Sequence, residues 1–153
     1  MGSVTTLESI ADRLQLLEDE RAILRTLHQY GHAMDYGPDI DFVDCFTAQG
    51  VWDVQMRRSN SGFRCRGHAE IQRSLDGQTQ VRAPALYAKH VVVDPRIVVS
   101  GDEATVHSYF LRVEPRDDGP TQIVASGRYV DRLVRCADGR WRIHERIAEI
   151  DDM

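Results

Sequence analysis

The segment TTLESIADRLQLLEDERAILRTLHQYGHAM, residues 5–34, decides the fold because it carries the longest consistent periodicity in the chain. Its apolar residues recur every three or four positions, which is the spacing of one face of an α-helix. That face consists of Leu7, Ile10, Leu14, Leu17, Ile23, Leu24, Leu27, Gly31 and Met34. The segment therefore predicts one long helix near the start of the chain.

Both ends of this helix carry signals of their own. Thr5 followed by Glu8 has the spacing of a capping box, in which two side chains bond the first backbone N–H groups. Gly37-Pro38 predicts the end of the helix, because proline disfavours helical geometry in the residue before it. The charged run EDER at residues 18–21 interrupts the apolar face and marks the position at which a break or bend is expected.

Shorter elements and then long strands are predicted after this helix. Their order is a helix over 39–46, strands over 51–56 and 63–65, a helix over 67–75, a polar loop over 76–84, and strands over 87–99, 104–113, 122–135 and 140–150. Pro95 predicts a bulge or an edge position in the first long strand, because proline cannot donate to a strand ladder. Long antiparallel strands after helices indicate the α+β class. No linker or repeat divides the chain, and we expect a single domain over residues 1–153.

The composition describes an ordinary globular protein. Of 153 residues, 42% are apolar and 28% are charged, and the net charge of −5 argues against a nucleic-acid partner, which would require a basic face. There is no signal-peptide pattern at the start and no apolar run near the ~20 residues that span a bilayer. Cys45, Cys65 and Cys136 are too few and too widely spaced for a disulfide framework or a zinc site. We expect a cytoplasmic protein without a membrane partner.

The strand over 104–113 has two faces that both mix polar and apolar residues. Val106, Ser108, Phe110 and Arg112 share one face, and His107, Tyr109, Leu111 and Val113 share the other. The alternation alone leaves open which of these faces points inward.

An ordered set of short motifs runs through the whole chain. It comprises Asp12-Arg13 or Glu20-Arg21, then Ile23, Leu27, Tyr30, Ala33 and Asp35, then CFTAQGVW at 45–52, GHAEI at 67–71, KH at 89–90, GRYVD at 127–131 and GRWRI at 139–143. This set resembles the SnoaL-like proteins of the nuclear transport factor 2-like superfamily over about residues 8–150. The resemblance implies a cone-shaped, curved, mixed or antiparallel sheet wrapped around the long helix, a cystatin-like α+β barrel. One pocket for a small apolar molecule is expected between sheet and helix.

The resemblance also implies site residues, most closely those of the dehydratase–dehydrochlorinase branch that includes scytalone dehydratase and bile-acid 7α-dehydratase. Asp35 and His90 occupy the places of that branch's aspartate and histidine, and Tyr30 matches a tyrosine of the bile-acid and related dehydratases. Trp52 matches an aromatic residue of the dehydrochlorinase pocket. An acid of the bile-acid enzyme is replaced near Arg112, which sets this chain apart.

Each of these residues also has a plain structural interpretation. Tyr30 and Trp52 suit a core, and His90 suits a strand with Asp35 capping the helix end. Asp35 is nevertheless oddly placed for a structural role, because the helix macrodipole disfavours a negative charge at a C-terminus. Candidate substrate-binding residues are Trp52, Phe110, Arg112 and Tyr129.

The expected chemistry is proton transfer by His90, held by Asp35, with Tyr30 assisting. A histidine titrates near neutral pH, and a carboxylate on one ring nitrogen frees the other to accept a proton. This predicts a cofactor-independent lyase, isomerase or cyclase acting on a small, apolar, ring-containing substrate. The alternatives are a non-catalytic small-ligand-binding protein and an accessory subunit of the oxygenase type.

No cofactor or metal is expected. The sequence has no glycine-rich phosphate loop or dinucleotide fingerprint, and His28 and His32 find no third ligand at convincing spacing. A homodimer or homotrimer is expected, because Val98, Val124 and Val130 suggest an exposed apolar sheet face.

Overall fold

The long helix is present and unbroken in the computed structural model, which describes residues 9–78 and 87–151. Helix α1 spans Ile10–Tyr36 and begins with a capping box in which Ser9 and Asp12 bond each other's backbone N–H groups. The expected box of Thr5 and Glu8 lies outside the described residues. Gly37 follows the last helical residue and donates its N–H to the carbonyl of Ala33, so the predicted end is confirmed.

Of the break or bend expected at residues 18–21, the break is wrong, because α1 continues through these residues, and Asp19 explains why. Its carboxylate is buried and accepts hydrogen bonds from the Arg135 guanidinium at 2.6 and 2.8 Å and from the Trp141 indole N–H at 3.1 Å. The bonds from Arg135 are the main reason why the pKa of Asp19 lies below its usual value. The negative charge of Asp19 is therefore paired with Arg135 of the sheet, and the helix continues through residues 18–21.

The remaining elements follow the predicted order with different limits. They are α2 (Asp39–Val43), β1 (Phe46–Met56), β2 (Ser61–Arg66), α3 (Gly67–Asp76), β3 (Lys89–Ser100), β4 (Glu103–Arg116), β5 (Gly119–Arg135) and β6 (Trp141–Asp151). Helix α2 is shorter and β1 longer than expected, because Phe46 already pairs with Ile143 before the register shifts ahead of Val51. The predicted loop over 76–84 lies partly outside the described residues.

The six strands form one mixed sheet in the order β2-β1-β6-β5-β4-β3. The β1–β6 pair is parallel and the other pairs are antiparallel. Helix α1 packs against both the edge strand β3 and the central strand β6. The α+β class and the mixed sheet around a long helix are confirmed. So is the irregularity at Pro95, since the β3–β4 register shifts between Val93 and Arg96.

Burial settles which face of β4 points inward. Ala104, Val106, Ser108 and Phe110 are buried, whereas His107 and Tyr109 are exposed. On β5, Gly127 lies opposite Phe110, and a Cβ atom there would lie 2.8 Å from the Phe110 ring and 2.0 Å from the Glu149 carbonyl oxygen. Glycine is thus required at position 127, because the Phe110 ring and the Glu149 carbonyl oxygen leave no space for a side chain.

The core contains one fully buried ion pair. Arg146 of β6 donates two hydrogen bonds to Asp131 of β5, at 2.8 and 2.7 Å, and neither side chain is exposed to solvent. The guanidinium carbon lies 4.1 Å from the ring centroid of Tyr30 and 4.0 Å from that of Tyr129. The cation is therefore held at its edge by a carboxylate and against its faces by two aromatic rings.

Replacing Asp131 with asparagine is expected to destabilise the protein by about 3–5 kcal/mol, because Arg146 would keep its charge in the core without a counterion. Urea unfolding followed by circular dichroism measures this change. The control is Asp118→Ala, which removes an exposed ion pair with Arg116 and should change stability by less than about 1 kcal/mol. Similar losses of unfolding free energy in both variants would show that the buried pair contributes no more to stability than an exposed one.

Candidate functional site

A cavity of about 230 Å³ lies between α1 and the inner face of the sheet. Its wall is mostly apolar and aromatic, with a few polar side chains. The described residues that line it are Tyr30, Met34, Asp35, Trp52, Val54, Met56, Phe63, Gln78, Ala88, His90, Phe110, Arg112, Ala125, Tyr129, Ala148 and Ile150. All seven residues predicted from the sequence, from five different elements, are brought together here.

Asp35 and His90 are in direct contact although they are 55 positions apart in the chain. Asp35 is on the last turn of α1 and His90 is the second residue of β3. His90 Nδ1 donates to Asp35 Oδ1 at 2.5 Å, and the backbone N–H of His90 donates to Oδ2 at 2.7 Å. The carboxylate side chain is 5% exposed and the imidazole 18% exposed.

This geometry assigns the state of the imidazole ring. An ionised carboxylate only accepts hydrogen bonds, so Nδ1 carries a proton and, in the neutral ring, Nε2 has the free lone pair. Nε2 makes no hydrogen bond to any residue between 9 and 78 or between 87 and 151. Asp35 therefore holds both the ring and the backbone of His90, and the other ring nitrogen is left for a ligand of the cavity.

Gly31 allows the two residues to meet. It lies one helical turn before Asp35, and a Cβ atom at this position would lie 3.0 Å from the carbonyl oxygen of His90. Few real Cβ contacts are this short, so a larger residue would push α1 away from β3. The glycine that the sequence places on the apolar face of the helix is thus a point at which helix and strand approach closely.

Tyr30 and Tyr129 form a polar element in the apolar wall. Their ring centroids lie 5.8 Å apart, and both rings contact the Arg146 guanidinium. Burial raises the pKa of Tyr30 and raises that of Tyr129 well above its usual value. Both hydroxyls therefore stay protonated at neutral pH and can donate hydrogen bonds.

Sequence reasoning missed Arg146 and Asp131 as the support of this tyrosine pair. Asp131 follows Tyr129 by two positions and so shares its face of β5, which is a signal available in the sequence. Arg146 could not be placed in the same way. Simple alternation from Ile143 would turn it outward, but the β5–β6 register shifts between Arg132 and Leu133, and Arg146 faces Asp131.

Trp52 and Phe110 complete the aromatic wall. The Trp52 ring meets Phe63 edge-on at 4.9 Å, and Phe110 stacks on Tyr129 at 4.6 Å. The Trp52 indole N–H is buried and makes no hydrogen bond to a described residue. It lies near the Tyr30 hydroxyl and offsets a small part of the increase in the pKa of Tyr30 that burial causes. Both residues serve the core and the cavity at once.

Arg112 lies beside His90 across the strand pair. The β3–β4 register places the two residues directly opposite each other, and both side chains line the cavity. Arg112 Nη2 also contacts Glu114 Oε1 at 2.5 Å, and these side chains are 20% and 28% exposed. A guanidinium-bearing residue therefore lies directly across the strand pair from the imidazole-bearing one.

Other titratable groups lie apart from this cavity. His28 and His32 are on the exposed face of α1, and the described residues contain no group of three or more side chains suited to a metal ion. Cys45 and Cys65 are buried, and burial raises the pKa of the Cys45 thiol to about 12. None of the described helices is long and apolar enough to cross a membrane.

Solved structures of similar fold come from Novosphingobium aromaticivorans. A nuclear transport factor 2-like protein with a cystatin-like fold is 23% identical, with a TM-score of 0.76 over 97% of this chain and 92% of its own. A candidate beta subunit of an aromatic-ring-hydroxylating dioxygenase is 19% identical, with a TM-score of 0.74 over 92% and 93%. A candidate scytalone dehydratase is 24% identical, with a TM-score of 0.67 over 90% and 87%. These likenesses concern the fold.

No curated protein sequence matches the chain. The model of the SnoaL-like domain, in contrast, matches residues 15–147, which include most of α1, the sheet up to Ile147, and every residue of the Asp35–His90 contact and the tyrosine pair. On this match the chain belongs to the SnoaL-like domain family.

Proposed function

We propose that this protein is a cofactor-independent lyase that eliminates water from a small, apolar, ring-containing substrate, with His90 as general base and acid. The observation that carries the proposal is the double contact of Asp35 with His90 at the wall of an apolar cavity. A histidine needed only for packing would not require a buried carboxylate on both its ring and its backbone.

The first step is removal of a proton from carbon. His90 Nε2 takes the proton from a carbon next to an electron-withdrawing group, and the imidazolium that forms lies beside the Asp35 carboxylate at 2.5 Å. Asp35 stabilises this cation and keeps the ring in place, which is the role of the aspartate in hydrolytic triads.

The second step is loss of the hydroxyl group. The electrons of the broken C–H bond form the new C=C bond as the C–O bond breaks, and His90 returns its proton to the leaving oxygen. The products are an alkene and water, so the imidazole ends neutral. Proton removal and return by one group require both to occur on the same face of the substrate.

The tyrosine pair is suited to assist this elimination. Tyr30 and Tyr129 line the cavity, and their raised pKa values keep them as hydrogen-bond donors. Either hydroxyl can donate to an oxygen of the substrate without giving up its proton at neutral pH. Arg146 and Asp131, which do not line the cavity, fix the two rings from behind.

Cavity size favours a compact substrate. The volume of about 230 Å³ lies below the roughly 300–1,000 Å³ typical of pockets for drug-sized ligands. One or two fused rings suit such a space better than a steroid-sized molecule. An open cavity also argues against the accessory-subunit alternative, for which a collapsed pocket is expected.

Histidine and aspartate variants test the proposal. With the β-hydroxy ketone 4-hydroxy-4-phenylbutan-2-one as probe, dehydration gives a conjugated enone whose absorbance can be followed. His90→Ala and Asp35→Asn should each lower kcat/KM by about 100- to 10,000-fold, because general base catalysis contributes that much. The matched control is His107→Ala, since His107 is exposed on the outer face of β4 and should be dispensable.

Thermal unfolding of each variant separates loss of chemistry from loss of fold. Full activity in His90→Ala or Asp35→Asn would contradict the proposed mechanism. Saturable binding of the probe without turnover, retained in His90→Gln, would instead identify the protein as a small-ligand carrier.

Tyr30→Phe should lower kcat about tenfold or more while probe binding changes little, because the ring keeps its packing and only one hydrogen bond to the reacting oxygen is lost. The control is Tyr36→Phe, an exposed tyrosine at the end of the same helix. An unchanged kcat in Tyr30→Phe would leave Tyr30 as a core aromatic residue.

A further inference from the structure

We propose that Arg112 binds the carbonyl oxygen of the substrate and holds the negative charge that develops there while His90 removes the adjacent proton. The inference rests on the proposed function of the same cavity and adds a role for Arg112 in that reaction. The substrate is a neutral, enolisable carbonyl compound with a hydroxyl group on the β-carbon.

The placement of Arg112 supports this role. Residues directly opposite each other in an antiparallel pair have Cβ atoms about 4.5–5.5 Å apart on the same face of the sheet. His90 and Arg112 are such a pair, and both line the cavity. A carbonyl oxygen two bonds from the reacting carbon atom can thus meet the guanidinium while the C–H bond points to His90.

Arg112 also supplies a permanent positive charge, which the other described residues of the cavity wall lack. Among the described residues that line the cavity, the ionisable groups besides the two tyrosines are Asp35, His90 and Arg112, and Arg112 alone is a permanent cation. The surrounding wall is apolar, so a charge that forms on the substrate is poorly solvated and a nearby cation stabilises it more strongly than in water.

Proton transfer then creates two charges that each meet a counterion. The imidazolium forms beside Asp35, and the enolate oxygen forms beside Arg112. The C–H electrons move into a C–C double bond and the carbonyl π electrons move onto oxygen. When the carbonyl re-forms, the C=C bond shifts to the β-carbon, and hydroxide leaves with the proton from His90 as water. This arrangement leaves the tyrosine hydroxyls to assist the departing hydroxyl.

Glu114 reduces the attraction of Arg112 for anions. For this reason we expect a neutral substrate. The Glu114 carboxylate contacts Arg112 Nη2 at 2.5 Å, which fixes the guanidinium and compensates part of its charge. A substrate that already carries a carboxylate or phosphate would lie beside the Asp35 carboxylate and near a guanidinium that Glu114 already partly neutralises. An oxygen that becomes negative only during the reaction avoids this cost.

Binding of 2-naphthol tests the inference without any turnover. This compact ring compound mimics the enolate when its hydroxyl ionises, and its absorbance distinguishes naphthol from naphtholate. When 2-naphthol is bound to the wild-type protein, its acid ionisation constant should be at least about tenfold higher than in water. The reason is that a charge-assisted hydrogen bond to the naphtholate is worth about 1.5–3 kcal/mol. Arg112→Gln should abolish the increase and Arg112→Lys should keep part of it.

Two further variants separate this role from structure and from the action of His90. Glu114→Gln should raise the ionisation constant of bound 2-naphthol further, because it removes the opposing charge from Arg112. Arg128→Gln, which alters an exposed arginine on the outer face of β5 that pairs with Glu149, should leave it unchanged. His90→Ala should retain the increase even though it removes elimination of the β-hydroxy ketone.

Each outcome decides one of the two proposals. An unchanged ionisation constant in wild-type protein, no binding of 2-naphthol, or an equal increase in wild type and Arg112→Gln would overturn the role of Arg112 and leave that of His90 standing. An increase lost in Arg112→Gln, together with full elimination activity in His90→Ala, would support the anion site and refute the role of His90 as general base.

Discussion

The contact between Asp35 and His90 is the constraint on which the rest of the site depends. One carboxylate oxygen bonds the imidazole and the other bonds the backbone of the same residue, so the end of α1 is joined to the start of the edge strand β3. Because the two bonds share one carboxylate, the ring cannot move without moving the strand. The same contact therefore closes the fold at one end of the sheet and orients the group that we propose as base.

A second ionic contact holds the opposite side of the cavity wall. The Arg146–Asp131 pair is fully buried between two tyrosine rings, and desolvating such a pair is energetically expensive. Apolar residues of similar volume would fill the space at lower cost. What the ion pair adds is a fixed position for two aromatic rings that line the cavity, and this links a feature of the core to the wall of the site.

Local patterns in the sequence predicted the elements well, and contacts between distant elements account for the differences. The long helix, its end at Gly37 and the irregularity at Pro95 depend on local propensities. The uninterrupted course of α1 depends instead on Asp19 finding Arg135 and Trp141, more than a hundred residues away. Similarly, the inward position of Arg146 depends on a register shift that leaves no mark in the alternation. Asp35, His90, Tyr30 and Trp52 could be named because a family pattern specified them, whereas periodicity left open whether Phe110 and Arg112 point inward.

The close approach at Gly31 makes the site sensitive to a substitution at this position. Gly31 does not line the cavity, so a single methyl group added at this position would not enter the space that holds an apolar ring. The same methyl group would separate helix from strand by a few tenths of an ångström, and a short charged hydrogen bond weakens over that distance. Within such a scaffold, an enzyme and a passive carrier can differ by one carbon atom that does not line the cavity.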